Sequence, residues 1–274
     1  MKGSSSKFSV LMSVYEKERP EFLQQALVSI WDDQLLKPSE IVIVLDGPLP
    51  LPLEKVIHDF SNTAPVNTVS LPINKGLGIA LALGLDACTH DLVLRMDSDD
   101  IAFSDRFKRQ VDFMNANPEI AFSSGYIAEF HDSVEDISGI RKVPHSFERI
   151  KKFAKFRNPM NHMAIAFRKK DVIASGSYTD FPGYEDYYLW VRMLQHGYKA
   201  SNIPETLMYA RIGNNMYKRR QGIHFFQQEI KLQNTFYRIK FIGMPAYVRN
   251  IISRAFPRLL PVFFLKSIYK VTRT

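Results

Sequence analysis

The residues best placed to do chemistry stand four in a row, Asp97-Ser98-Asp99-Asp100, directly after the apolar run Asp91–Met96. In an extended segment residues i and i+2 point to one side, so Asp97 and Asp99 share a face while Ser98 turns away. Two carboxylates that close repel unless a cation lies between or beside them. Hard oxygen ligands suit Mg²⁺ or Mn²⁺, which keep positions open for phosphate oxygens, so the segment suits a diphosphate held through a divalent ion. The alternative is a solvated acidic turn, because Asp is common in turns and caps on its own account. A second acidic pair, Glu185-Asp186, follows Phe181-Pro182-Gly183-Tyr184 and precedes the apolar residues Leu189, Trp190, Met193 and Leu194. Acids in a helix's first turn complement its dipole whatever else they do; they also offer a proton acceptor.

These groups need elements to position them. Phe8–Tyr15 has the length of a short strand. Behind Pro20, Phe22, Leu23, Ala26, Leu27, Ile30 and Trp31 recur at helical spacing. Glu40–Leu45 is a continuous run rich in Val and Ile, as in a strand covered on both faces, and it stops at Asp46-Gly47-Pro48. A helix over Leu53–Phe60, a strand over Val66–Leu71, a helix over Leu77–Cys88 and a strand over Asp91–Met96 follow. A helix over Asp105–Asn115, capped by Ser104, comes next. This order predicts an α/β fold with a mainly parallel sheet flanked by helices, whose ligands bind beyond the carboxyl ends of the strands. The polar groups gather there: Tyr15-Glu16, Asp46, Asn74-Lys75-Gly76 and the four residues from Asp97. Farther on, strands are expected over Ala121–Phe130, Met163–Phe167 and Leu207–Ile212, and helices over Ser146–Phe156, Glu185–His196 and Lys218–Lys240.

Forty-six per cent hydrophobic residues suffice for a sizeable core in one domain or in one domain plus an appendage. The lone Cys88 excludes an internal disulfide or a cysteine-based zinc site, and its apolar surroundings suit a buried thiol. Met1–Lys7 lacks the apolar stretch of a signal peptide, so a cytoplasmic location is expected. The net charge of +8 is unevenly placed. Nine cationic residues and no acid follow Glu229; removing these nine from the 36 Lys and Arg leaves 27 against 28 acids. A near-neutral body argues against a nucleic-acid partner, and the basic tail, rich in aromatic and aliphatic residues, suits an anionic membrane surface. The other reading of the tail is a helical pair packed on the body with its cations exposed. The boundary is placed at residue 215, with halves 1–120 and 121–215 before it and a helical, basic appendage over 216–274.

Val10–Tyr15, Asp46, Asn74-Lys75-Gly76, Arg95-Met96-Asp97-Ser98-Asp99-Asp100, Arg106 and Gln110 together closely resemble the family 2 glycosyltransferases of GT-A fold, over about Ser9 to Arg220. The resemblance implies inverting transfer from a nucleotide-diphosphate sugar, with Mn²⁺ or Mg²⁺, in bacterial surface-polysaccharide assembly. It implies a UDP-hexose donor, galactose or glucose, and a lipid-diphosphate-linked saccharide acceptor at the inner face of the cytoplasmic membrane. By the same resemblance Asp46 meets the nucleobase, and Tyr15 and Asn74-Lys75-Gly76 line the nucleotide. Asp97 faces its ribose side, Asp99 holds the metal with Asp97, and Asp186 is the base, with Glu185 an acceptor-binding or supporting group. Gly76 and Gly78 allow close backbone approach there. Trp190 is assigned to the acceptor side and His162 to the acceptor or the diphosphate, with a core role open for each. Relatives carry a His after the strand matching Leu207–Ile212 where this chain has Arg211-Ile212-Gly213. Arg211, or Lys218, Arg219 and Arg220, is available to pair with the diphosphate instead, a solvated basic patch being the other reading of the last three.

Two other classes compete. A sugar-1-phosphate nucleotidyltransferase is also α/β and Mg²⁺-dependent, but it needs a Gly-rich basic loop after the first strand, and Val14-Tyr15-Glu16-Lys17-Glu18 offers none. A non-catalytic lipid-binding protein would leave the acids without a role. Donor hydrolysis or transfer, pyrophosphate exchange, and silence separate the three.

Overall fold

The computed structural model describes residues 7–212, 222–255 and 258. Strand and helix alternate through β1 (Ser9–Val14), α1 (Pro20–Ile30), β2 (Glu40–Leu45), α2 (Leu51–Ser61), β3 (Val66–Ser70), α3 (Leu77–Ala87) and β4 (Leu92–Met96). The four strands pair in parallel, β1 between β2 and β4, with β3 outside β2. The sheet continues past β4 through β9 (Ala166–Arg168), β6 (Ile120–Ser123) and β10 (Lys199–Ala200), giving the order β10-β6-β9-β4-β1-β2-β3. Only β9 runs antiparallel to its neighbours. Both faces are covered, which is why Ile41–Val44 read as an unbroken apolar run. Alternate residues of β1 divide between two cores: Val10, Met12 and Val14 pack with α1 and α2, while Leu11 packs with α3.

A smaller sheet, ordered β5-β11-β7-β8, is built from β5 (Ile101–Ala102), β7 (Gly125–Phe130), β8 (Ile137–Arg141) and β11 (Ile203–Arg211). The single strand expected over Ala121–Phe130 is therefore two, one in each sheet. The break falls at buried Ser124, whose N–H and hydroxyl both donate to Asn202 Oδ1 at 2.8 Å. A 3₁₀ turn (His162–Ala164) precedes β9 where a strand from Met163 was expected. β11 begins at Ile203, four residues before the expected start. The sequence reading also missed β8 and α6 (Lys169–Ala174). α4 (Arg106–Ala116) has no side-chain cap from Ser104; Asp105 instead pairs with Arg109 one turn on.

α5 (Phe147–Phe153) and α7 (Glu185–Gln195) lie close to their expected positions. Beyond residue 221 come α8 (Ile223–Arg238), α9 (Met244–Asn250) and a π-helical turn (Ile251–Ala255). This region packs on the body rather than standing off it. Leu232 and Phe236 of α8 are fully buried in the core that holds α7, and the Phe236 ring meets Tyr187 edge-on at 5.0 Å.

Candidate active site

The chain leaves β4 at Met96 and enters β5 at Ile101, so the acidic segment bridges the two sheets. It is a turn, not an extended strand, and the turn gathers three carboxylates where alternation predicts two. One oxygen each of Asp97, Asp99 and Asp100 lies within 4.8 Å of the others. Burial, then Asp97 and Glu18, pushes Asp99 up to about 7; burial with Asp99 and Asp97 raises Asp100 well above the carboxylate range. Three hard oxygen donors whose joint ionisation is disfavoured without added positive charge fit a divalent cation.

Two arginines flank the turn. Arg95, almost wholly buried in β4, ion-pairs with Asp97, and its Nε and Nη1 have no protein partner. Arg211 donates its backbone N–H to Asp100 Oδ1 at 2.8 Å and its Nε to the Asp99 carbonyl at 3.1 Å. Its guanidinium lies 3.8 Å above the Phe22 ring and reaches Gln25 at 2.7 Å, so it braces the turn from β11. Beneath, Arg106 is fully buried and donates to the carbonyls of Arg95 (2.6 Å) and Met163 (3.0 Å). Gln110 donates to the Ala164 carbonyl at 2.8 Å. These two motif residues build the floor of the site.

The other strand ends meet at the same rim. Buried Asp46 accepts the N–H of Lys75 at 2.7 Å and of Gly76 at 3.1 Å, and so shapes the turn into α3. Asn74 Oδ1 also accepts from Gly76 N at 3.2 Å, while Asn74, Lys75 and Tyr15 face solvent. Gly76 has φ +84°, which favours glycine. At Gly78 the close approach is to protein: a Cβ there would sit 2.2 Å from the Thr179 carbonyl and 3.3 Å from Glu185 Cβ. The missing side chain thus lets α3 abut the start of α7.

At that start, Glu185 is buried with Oε2 unpartnered, and burial followed by Asp186 pushes its carboxyl up to about 7. Asp186, partly buried, is also raised by burial; Asn158 opposes this by donating to its Oδ2 at 2.5 Å. The Arg95 charge favours the ionised form of both acids, linking them to the turn at Asp97. His162 shares a 3.1 Å hydrogen bond with Tyr178, and burial reinforced by Arg95 holds it well below its usual range, so it is neutral.

Trp190 corrects an expectation. It is fully buried and stacks on Phe122 at 5.2 Å and 16°, so neither ring face is available to an acceptor sugar. At helical spacing it falls on the core side of α7. Lys218, Arg219 and Arg220 lie outside the described residues. Sequence reasoning missed Glu18, Asp100 and Asn158. Glu18 accepts the Ser98 hydroxyl and acts on Asp99; its only signal was membership of the loop after β1. Asp100 was legible in the acidic run, but the alternation argument set it aside. Asn158 had no local signal, since its partner is 28 residues away. A groove of about 370 Å³ along α8, lined by Phe226, Ile230, Lys231 and Arg238 among others, contains none of the candidate site residues and is not this site.

Comparisons with known proteins identify the family and the fold. The family model described as Glycosyl transferase family 2 matches residues 9–175. An uncharacterized glycosyltransferase of Haemophilus influenzae is 43% identical over 96% of this chain and 98% of its own. The UDP-Gal:alpha-D-GlcNAc-diphosphoundecaprenol beta-1,3-galactosyltransferase of Escherichia coli is 41% identical over 98% of each. The amylovoran biosynthesis glycosyltransferase AmsE of Erwinia amylovora is 38% identical over 97% and 99%. Among solved structures, S. aureus TarS 1–349 in complex with UDP-GlcNAc superposes with a TM-score of 0.66 at 15% identity, covering 92% of this chain and 72% of that one. With its two sheets in the GT-A arrangement and its motifs at their exits, this chain belongs to glycosyl transferase family 2.

Proposed function

We propose that the chain transfers a hexose, galactose or glucose, from a UDP-sugar to a hydroxyl of a lipid-diphosphate-linked saccharide, with inversion at the anomeric carbon. The observation that carries the reading is the acidic turn at the exit of β4, where one oxygen each of Asp97, Asp99 and Asp100 lies within 4.8 Å of the others, with the acid pair Glu185-Asp186 at the start of α7 against Gly78 of α3. Donor phosphates and acceptor hydroxyl would meet between the turn and the pair. The donor and acceptor classes take their support from the printed name of the Escherichia coli relative.

Asp97, Asp99 and Asp100 would hold Mn²⁺ or Mg²⁺. When bound, such an ion supplies charge stabilisation for the departing diphosphate, so no separate acid is needed. Asp46 sets the Lys75-Gly76 turn against the nucleotide, with Tyr15 and Asn74 beside it. Asp186, raised yet kept usable by Asn158, takes the proton from the acceptor hydroxyl. That oxygen forms its bond to the anomeric carbon as the bond to the β-phosphate oxygen breaks, and the electron pair leaves with UDP. Glu185 holds the acceptor. Turnover of UDP-galactose with a synthetic lipid-diphosphate N-acetylglucosamine acceptor tests the reading. Asp186→Asn should bind donor normally and lose about 10²-fold or more in kcat; wild-type turnover in that variant would remove Asp186 as the base.

The site works at a membrane surface. Among the described residues no helix is long and apolar enough to cross a bilayer. Met244, Val248 and Ile252, spaced four residues apart, are about half exposed, and Lys231, Arg238, Lys240 and Arg249 are also exposed. Apolar insertion flanked by cations is how interfacial helices bind anionic lipid.

A further inference from the structure

Glu229 is the last acid in the sequence and has no place in the reaction, yet it is fully buried. Its Oε1 accepts from Arg254 Nε and Gln233 Nε2, both at 2.9 Å. Its Oε2 accepts the Tyr184 hydroxyl at 2.7 Å and faces Arg258 Nη2 at 3.5 Å. Burial alone would raise this carboxyl; the Arg254 charge and hydrogen bond, with Tyr184 and Arg258, outweigh it and hold it at about 2.

Two arms lead from this hub to Asp186. Tyr184 is the residue on which α7 starts, one and two positions before Glu185 and Asp186. Arg254 donates from Nη1 to the Phe156 carbonyl at 2.6 Å. Asn250, which also bonds Gln233 at 2.8 Å, donates to the Lys155 carbonyl at 2.9 Å. The chain then runs directly into Asn158, whose amide holds Asp186. The helix start that carries Asp186 and the loop that carries its partner are thus fastened to one carboxylate from the C-terminal helices.

We propose that Glu229 is a positioning residue for the transfer reaction, setting the register between Asn158 and Asp186 through Tyr184 and Arg254. The inference rests on the reading of Asp186 as the base. It gives the C-terminal region a part in catalysis separate from lipid contact, and it explains why two of its cations point inward.

The test compares full-length Glu229→Gln and Tyr184→Phe with Leu232→Ala, a fully buried position of the same helix outside the network. Tyr184→Phe removes one hydroxyl and keeps the ring, so it stays informative even where Glu229→Gln folds poorly. Expected for the hub variants is a fall in kcat of about tenfold or more with donor KM within about twofold. The acidic limb of the rate profile should move to higher pH, because the Asn158 bond that favours ionised Asp186 is loosened. Tyr187, Arg95, Arg141, Tyr178 and Glu185, the other groups acting on Asp186, are unchanged in these variants. Leu232→Ala should lower Tm and leave kcat per folded molecule and the pH limb in place. Wild-type kcat and an unmoved limb in Tyr184→Phe, with Asp186→Asn inactive, would overturn the positioning role. Full turnover in Asp186→Asn would instead bring down the underlying reading.

Discussion

If the acidic turn holds a metal ion, that ion must compete with protons, and the size of the competition follows from the structure. Asp99 stands at about 7 because burial and the neighbouring carboxylates disfavour its charge. Its ionised form is the ligand, so binding below that pH releases a proton. For one such group the apparent affinity at pH 6 falls about tenfold from its high-pH limit, and at pH 5 about 100-fold, or roughly 1.4 and 2.7 kcal/mol. Asp100, raised for the same reasons, can only steepen the dependence. Calorimetric titration of the protein and UDP with Mn²⁺ at pH 5.5–8, in buffers of different ionisation enthalpy, measures both affinity and protons released. Proton release should be about one per ion or more at pH 6 and shrink as pH rises to 8, and Asp99→Asn should weaken binding and flatten the profile. Affinity independent of pH across this range, with no buffer dependence of the heat, would refute the assignment of these carboxylates to a metal.

Three further outcomes are expected. Trp190→Ala should cost about 3–5 kcal/mol of stability in denaturant unfolding, whereas Trp190→Phe should leave acceptor KM within about twofold; a tenfold rise in the Phe variant would return residue 190 to the acceptor site. Glu229 has a depressed carboxyl, so its contribution is present above about 4.5, the free value, and is lost as pH falls toward 2. That contribution is about 3 kcal/mol, and acid unfolding of wild type against Glu229→Gln should reveal it over that window. Substituting Met244, Val248 and Ile252 together by Ser should weaken co-sedimentation with vesicles rich in phosphatidylglycerol while kcat on a water-soluble acceptor stays within about twofold. Undiminished sedimentation would place lipid contact elsewhere.

The first half of the fold was legible because its inner strands are buried on both faces and its first helix keeps a clean period, as in Ile41–Val44 and Leu23–Ile30. The rim was legible for a related reason, since polar residues cluster where apolar runs stop. What escaped depended on distant partners. Nothing near Ser124 announces that one apolar run crosses from one sheet to the other; Asn202, 78 residues on, makes the break. Glu185–Gln195 was recognisable as a helix, but whether Trp190 faced a sugar or Phe122 was decided by the neighbouring sheet. The basic tail misled in one respect: a charge count cannot distinguish Arg254, turned in toward Glu229, from Arg249, exposed at the surface.

The span from Met96 to Ile101 has little slack. Its first carboxylate hangs from the large sheet and its last abuts the small one, with Arg211 tying that far end to β11. Any ion seated among the three acids is therefore also a rivet between the two sheets, added to the core that Leu94 and Met96 share with Ile127 and Met208. Losing it would be felt as a loosening of the seam between the sheets, so chelation should speed amide exchange in β5 and β11, the strands that flank the far end of the turn.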